Sequence, residues 1–160
     1  IMPYPNGTQN LGEWFEIYNP QTFDLAVTGL TIKDNAGIEV VSTAGLVVKA
    51  GSYFWFASNA TIDGLTPSYG YNYTNSKVQF SNSGDEVSIW FNGALIDLVK
   101  FDGTMPNWKP EKAGYSFQLS PAKYSATAND DGASWCYGAA TYGLSKANYG
   151  TPGTANAACP

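Results

Sequence analysis

The sequence predicts an all-β sandwich of about eight strands. Short runs rich in Val, Ile, Phe, Tyr and Trp alternate with turns of Gly, Asn, Asp and Pro, and helical periodicity is nearly absent. The 160 residues fit one domain, and an apolar content of 44% is enough to form a single core. We therefore expect residues 1–160 to be one domain. Because the chain opens Ile1-Met2-Pro3, we also expect it to be a piece of a longer exported protein.

The predicted strands follow one another along the chain from residue 13. In EWFEIYN (13–19), alternation places Phe15 and Ile17 on one face and Trp14, Glu16 and Tyr18 on the other. The remaining strand segments are GLTIKDNAG (29–37, running into a turn), LVVKAGSYFWFAS (46–58, two pieces around a bend), KVQF (77–80), EVSIWF (86–91), ALIDLVKF (94–101) and YSFQL (115–119).

Two segments do not fit a strand pattern. Residues 58–76 are too long for a tight connection and are predicted to form an elaborated loop. Residues 120–160 are dominated by Ala, Gly, Ser, Asn and Tyr, with Trp135 as the one large anchor, and are predicted to form an irregular C-terminal tail.

A β-hairpin is predicted at DEVSIWFNGALIDLVKF (85–101). Its Asn92-Gly93 pair suits the positive φ angles of a two-residue type I′ turn. Such a turn pairs Ile89 with Ile96 and Val87 with Leu98, and leaves Asp97 opposite Ser88 on the other face. A loop one residue longer would place Asp97 opposite Ile89. We favour the two-residue turn.

The charge of the chain argues against nucleic acid as a partner. The net charge is −5, the chain has no Arg, and its eight Lys are not clustered. No apolar run approaches the roughly 20 residues of a membrane span, so we expect no membrane insertion.

Catalytic motifs are scarce. The chain has no His, which removes histidine-assisted triads and dyads. The S-x-x-K match at residues 120–123 follows a strand and contains Pro, so a turn explains it better than a β-lactamase-type site. Glu13 with Glu16, and Asp85 with Glu86, point to opposite faces of their strands. Those pairs suit solvated faces better than a glycosidase cleft. We expect no enzymatic activity.

No cofactor is expected. Two features are candidates for a metal site or a disulfide: the NDDG motif and the pair of cysteines. NDDG (129–132) has the Asp and Asn oxygens of a calcium loop but not its alternating spacing, so an Asx turn is favoured over a structural calcium. Cys136 and Cys159 lack further Cys or His ligands for a metal. A disulfide is the favoured interpretation, and it implies an oxidising, secreted location. The alternative is two unrelated thiols in a cytosolic protein.

A ladder of tyrosines offers a candidate binding surface. Tyr69, Tyr71 and Tyr73 recur at period two, so an extended backbone would align their rings on one face. Sugar rings stack on such platforms, which makes a carbohydrate-binding module the alternative function. The competing interpretation is that the ladder packs against the sandwich as an edge strand.

Taken together, several segments resemble the lamin tail domain family, in its secreted bacterial form. They occur in the family's order over nearly the whole chain, and SWC (134–136) followed by the last segment is similar to secreted bacterial members. The segments are GEWFEIYNP (12–20), GLTIKD (29–34), LVVKAGSYFWFA (46–57), NSGDEVSIW (82–90), LIDLVKF (95–101) and GTPGTANAAC (150–159).

The resemblance implies an immunoglobulin-like β-sandwich without catalytic residues. It supports a Cys136–Cys159 bridge. It also implies a binding or tethering module of an exported bacterial protein, located outside the cell or on its surface. The expected partner is a protein or a cell-surface component, which includes a glycan. The chromatin contacts of animal members do not carry over, because the basic surface is missing.

Overall fold

The computed structural model describes residues 1–7, 11–71 and 78–160. Within these ranges the chain is all-β, as predicted, and is an immunoglobulin-like sandwich with more and shorter strands than the eight expected. No helix among the described residues is long and apolar enough to cross a bilayer. The strands are β1 (Trp14–Tyr18), β2 (Leu25–Ala26), β3 (Thr31–Lys33), β4 (Ile38–Val40), β5 (Val47–Val48), β6 (Tyr53–Ala57), β7 (Tyr69–Gly70), β8 (Asp85–Phe91), β9 (Ala94–Phe101), β10 (Phe117–Leu119), β11 (Trp135–Tyr137), β12 (Thr141–Tyr142) and β13 (Asn148–Tyr149).

Two sheets enclose the core. One has the strand order β1-β6-β7 and the other β4-β3-β8-β9, while β2-β5, β10-β11 and β12-β13 form two-stranded ribbons. In the first sheet β1 pairs antiparallel with β6, which sets Phe15 opposite Phe56 with their rings stacked 4.8 Å apart. Phe15 and Ile17 contribute to the core, which confirms the alternation predicted for residues 13–19.

The predicted two-residue turn joins β8 to β9. Asn92 and Gly93 have φ angles of 49° and 80°, and Phe91 lies opposite Ala94. Only Gly and Asn tolerate such angles at low cost, so the dipeptide specifies the turn.

The pairing expected beyond this turn was wrong. The register shifts by one residue past the Trp90–Leu95 pair, so Ile89 lies opposite Asp97 and Val87 opposite Val99. A bulge at Ile96, which is 56% exposed, is the cause. The shift turns Val99 and Phe101 into the core, where both are buried. The free energy gained by burying these two large side chains outweighs the cost of interrupting the regular hydrogen-bond ladder.

No strand forms at residues 78–80, the described part of the predicted strand KVQF. Instead, side-chain carboxylates accept hydrogen bonds from three consecutive backbone N–H groups: Glu13 from Phe80 at 2.9 Å, Asp85 from Ser81 at 2.8 Å, and Asp34 from Gln79. We call Glu13, Asp34 and Asp85 the carboxylate clamp. The clamp satisfies donors that a neighbouring strand would otherwise have to pair.

The C-terminal part is less irregular than predicted. It contains the ribbons β10-β11 and β12-β13, whose strands of two or three residues are too short to show a periodic pattern. It also completes the core: Trp108 and Phe117 pack on Phe101 and on each other, and Trp135 packs on Trp108. The 58–76 loop contains β7 and an isolated bridge between Ile62 and Leu65, while residues 72–76 lie outside the described ranges.

Candidate functional site

Tyr69 and Tyr71 of the tyrosine ladder pack against the core of the protein. Tyr71 is 1% exposed and belongs to the core. Tyr69 packs edge-on against Phe56, and its hydroxyl donates to Glu39 at 2.7 Å. Tyr73 lies outside the described residues. Tyr69 lies in β7 at the edge of the first sheet, and the buried ring of Tyr71 offers no face to a sugar.

Glu13 is buried and Glu16 is half-buried, which corrects the expectation that both lie on solvated faces. Burial raises the pKa of Glu13 to about 8, and the nearby Asp34 and Asp85 add to that shift. Burial raises the pKa of Glu16 to about 7, although the Gly153 N–H donates to its carboxylate at 2.7 Å. The two side chains have partners in different parts of the molecule, as opposite faces of a strand require.

Asp85 was expected among the solvent residues at the start of its strand, and that was wrong. It is buried and accepts hydrogen bonds from Asn35 and from the Ser81 and Glu86 N–H groups. Glu86 lies on the outer face, where it forms a salt bridge with Lys100 at 3.0 Å. The Asp85 carboxylate thus satisfies backbone N–H donors at the start of β8.

Asp97 faces inward because of the bulge. One oxygen of its carboxylate accepts from the Leu98 N–H at 2.9 Å, and the other accepts from the Asn129 side-chain amide at 2.8 Å. Desolvation raises the pKa of Asp97, and the nearby Asp130 adds to that shift. Asn129 is 7% exposed, and its side-chain oxygen Oδ1 has no hydrogen-bond partner.

The two weak motifs form turns. Pro121–Lys123 of the S-x-x-K match is a 3₁₀ turn after β10, as predicted. In NDDG, Asp131 accepts from the Ala133 N–H at 3.0 Å, which is the predicted Asx turn. Among residues 1–7, 11–71 and 78–160, no group of three or more Cys, Asp or Glu side chains is arranged to hold a metal ion.

The structure joins Cys136 to Cys159 in a disulfide, which settles the alternatives left open for these two residues. Their Cα atoms are 5.6 Å apart, within the usual range for a bridge. The bond fixes the end of the chain to β11, and the Gln118 side chain adds a hydrogen bond of 2.8 Å to the Ala157 carbonyl.

An apolar strip lies along β4, at the edge of the second sheet. Ile38 and Val40 are 56% and 51% exposed, while Glu39 between them turns inward to meet Tyr69. We call Ile38 and Val40 the β4 edge. The sequence predicts a strand that runs into a turn at residues 29–37 and no strand directly after it. The alternation in GIEV (37–40) is nevertheless a strand signal that indicates this edge.

A cavity of about 770 Å³ lies between the two sheets. Its buried lining is apolar and includes Phe15, Val99 and Phe117. Asp97 and Asn129 also line it. No signal in the sequence indicates this cavity, because the volume depends on how far apart the two sheets lie.

Comparison with known proteins supports the family indicated by the sequence. Residues 1–103 match the family model described as Lamin Tail Domain. No curated protein and no solved structure matches the chain. The match covers more than half of the chain and spans β1 to β9.

Proposed function

Because this chain belongs to the lamin tail domain family, we propose that it is a non-catalytic module that tethers an exported bacterial protein to a partner protein. Lamin tail domains are immunoglobulin-like and are generally interaction modules without catalysis. In this chain the partner contributes an extended segment that pairs with the β4 edge.

The observation that carries this proposal is the exposure of Ile38 and Val40. A sheet edge has backbone N–H and C=O groups free to pair, and proteins usually protect such edges with charges or prolines. Here the two outward side chains are β-branched and apolar, which suits strand addition by a partner. The Tyr69–Glu39 hydrogen bond holds β4 against the rest of the sandwich, so the edge is ordered before a partner arrives.

An exported location is supported by the disulfide. Such bonds persist in oxidising compartments and are rare in the cytosol. The similarity of SWC and GTPGTANAAC to secreted bacterial members points in the same direction. The carbohydrate alternative depends on the tyrosine ladder, and the burial of Tyr71 gives it no support.

Site-specific photocrosslinking tests the proposal. A benzoylphenylalanine at position 38 should give a discrete adduct with an exported protein in the cell-envelope fraction of the source organism, and Val40→Lys should abolish it. The matched control places the same group at Leu144, an apolar side chain that is 82% exposed on another part of the surface. No adduct from position 38, or equal adducts from both positions, would contradict the proposal.

A further inference from the structure

The cavity between the sheets has a closed end and an open end. Phe15, Val99 and Phe117 are buried and form the closed end. Leu25 and Phe91 are partly exposed and mark the open end, together with Ile96 at the bulge. The volume of about 770 Å³ is in the range of small-molecule sites, roughly 300–1,000 Å³. A ligand entering there would bury an apolar chain among apolar side chains.

Polar atoms near the open end are hydrogen-bond acceptors. Asp97 reaches the cavity because of the bulge, and its carboxylate accepts a hydrogen bond from the side-chain NH₂ group of Asn129. The Trp135 indole N–H donates to the Asn129 carbonyl at 2.8 Å and fixes the backbone of that residue. The Oδ1 atom of Asn129 remains without a partner although it is buried. An unpaired buried acceptor destabilises the protein, and a ligand donor would remove that cost.

The charges that line the cavity favour a positively charged ligand over a negatively charged one. Its lining includes the carboxyl groups of Asp97 and of Glu16, whose pKa of about 7 leaves it partly ionised at neutral pH. No lysine is present among its described residues. The Ile1 nitrogen also lines the cavity and donates to the Phe117 carbonyl at 2.9 Å. An anionic head would meet carboxylates without a compensating cation.

Aromatic rings add a second attraction for a cation. The rings of Tyr18, Tyr53 and Tyr124 form a cluster with centroids 4.9, 5.0 and 6.2 Å apart, and all three line the cavity. The Tyr53 hydroxyl donates to the Tyr124 hydroxyl at 3.2 Å, which keeps the cluster together. Ring faces attract ammonium groups more strongly when water is excluded.

We propose that this cavity is a binding site for an apolar molecule with a primary ammonium head. The chain of the ligand lies among the apolar side chains between the sheets. Its head donates hydrogen bonds to the Asp97 carboxylate and to Oδ1 of Asn129. The site is separate from the β4 edge, so its failure would leave the proposed tethering function standing.

Calorimetric titration of the disulfide-intact chain tests the proposal with three ligands that differ only in the head group: decylamine, decanol and decanoate, each below its micelle concentration. Decylamine should bind at least tenfold more tightly than decanoate, with decanol between them. Asp97→Asn should weaken decylamine about tenfold and leave decanol unchanged. The Asn129 side-chain amide resonances should shift on adding decylamine.

The matched control is Glu86→Gln, which removes a carboxylate from the outer face of the same hairpin. It should leave all three affinities unchanged, because a general attraction to an acidic protein would respond to either substitution. The cavity-filling variant Ile17→Phe should weaken all three ligands while the far-ultraviolet spectrum stays native. No decylamine binding by the folded chain, equal binding of decylamine and decanoate, or equal effects of Asp97→Asn and Glu86→Gln would overturn the proposal.

Discussion

The Trp14 indole N–H donates a hydrogen bond of 2.9 Å to the Tyr142 hydroxyl, 128 residues further along the chain. The two rings meet edge to face at 5.8 Å, and Trp55 packs against Trp14 at 6.2 Å. This contact joins the part of the chain that matches the family model to the part beyond residue 103. The second apolar cluster of the protein is therefore completed by its C-terminal segment.

Removing this hydrogen bond should destabilise the fold without changing it. Tyr142→Phe leaves a buried indole N–H unpaired, so we expect a loss of about 1–3 kcal/mol in the free energy of unfolding. Urea denaturation should show a lower midpoint with an unchanged slope. Thr141→Ala, at the exposed neighbouring position, should stay within about 0.5 kcal/mol of the parent chain. Equal effects of the two substitutions would contradict this assignment.

Residues 104–160 should belong to the same cooperative unit as residues 1–103. A chain ending at residue 103 loses Phe117 and Trp135 from the core and the partner of the Ile1 amino group. We expect the shortened chain to lose its near-ultraviolet circular dichroism, whereas the 160-residue chain should unfold in one calorimetric transition. A shortened chain with native tertiary signals, or two separate transitions of the longer one, would show independent units.

The contribution of Glu13 to stability should fall as the pH rises through neutrality, because Glu13 is protonated in the folded state. Its pKa is raised from 4.5 to about 8, so its stabilisation is complete below pH 4.5 and is lost as the pH rises to about 8. The expected slope is about 1.4 kcal/mol per pH unit for each such group. Glu16 contributes similarly from pH 4.5 to its pKa of about 7. The N-terminal amino group, whose pKa is lowered from 8.0 to about 5, contributes with the opposite sign. A comparison between the parent chain and a variant without the Glu13 carboxyl group therefore isolates Glu13.

Chemical denaturation at pH 7 and pH 8 should show this difference. Glu13→Gln keeps an acceptor for the Phe80 N–H but cannot ionise. Between pH 7 and pH 8 the parent chain should therefore lose about 1 kcal/mol of unfolding free energy relative to this variant. Glu86→Gln, on the exposed face, should retain the parent slope. An unchanged slope in Glu13→Gln would show that Glu13 does not titrate in this interval.

Loss of the disulfide should destabilise the chain by about 3 kcal/mol, because the bond closes a loop of moderate length in the unfolded state. The double variant Cys136→Ser, Cys159→Ser should show this in thermal unfolding, and reductant should shift the parent chain but not the variant. Intact mass under non-reducing conditions should show no free thiols. Two free thiols in protein from its natural compartment would remove the main support for export.

The sequence predicts the strands that carry long alternation and the turn that carries special φ angles. The β1 alternation around Phe15 and the Asn92-Gly93 turn both follow from local chemistry. The bulge at Ile96 does not, because it depends on which residues of β9 the core can accept. The hairpin register is therefore correct near the turn and wrong beyond it.

The candidate site is harder to predict than the fold. The carboxylate clamp forms because three acidic residues from distant parts of the chain meet one segment of backbone, and such long-range contacts leave no local pattern. Tyr71 is buried in the core. Period two predicts that Tyr69 and Tyr71 share a face, but it does not specify whether that face meets solvent.

The bridge between Cys136 and Cys159 also determines how the protein responds to mechanical load. A pull on Pro160 passes through Cys159 into β11, so the residues between the two cysteines are shielded from tension. Force then acts on the β10-β11 ribbon and, through Trp135, on the aromatic core. A module that tethers one body to another would thus resist peeling of its tail until the sandwich itself yields.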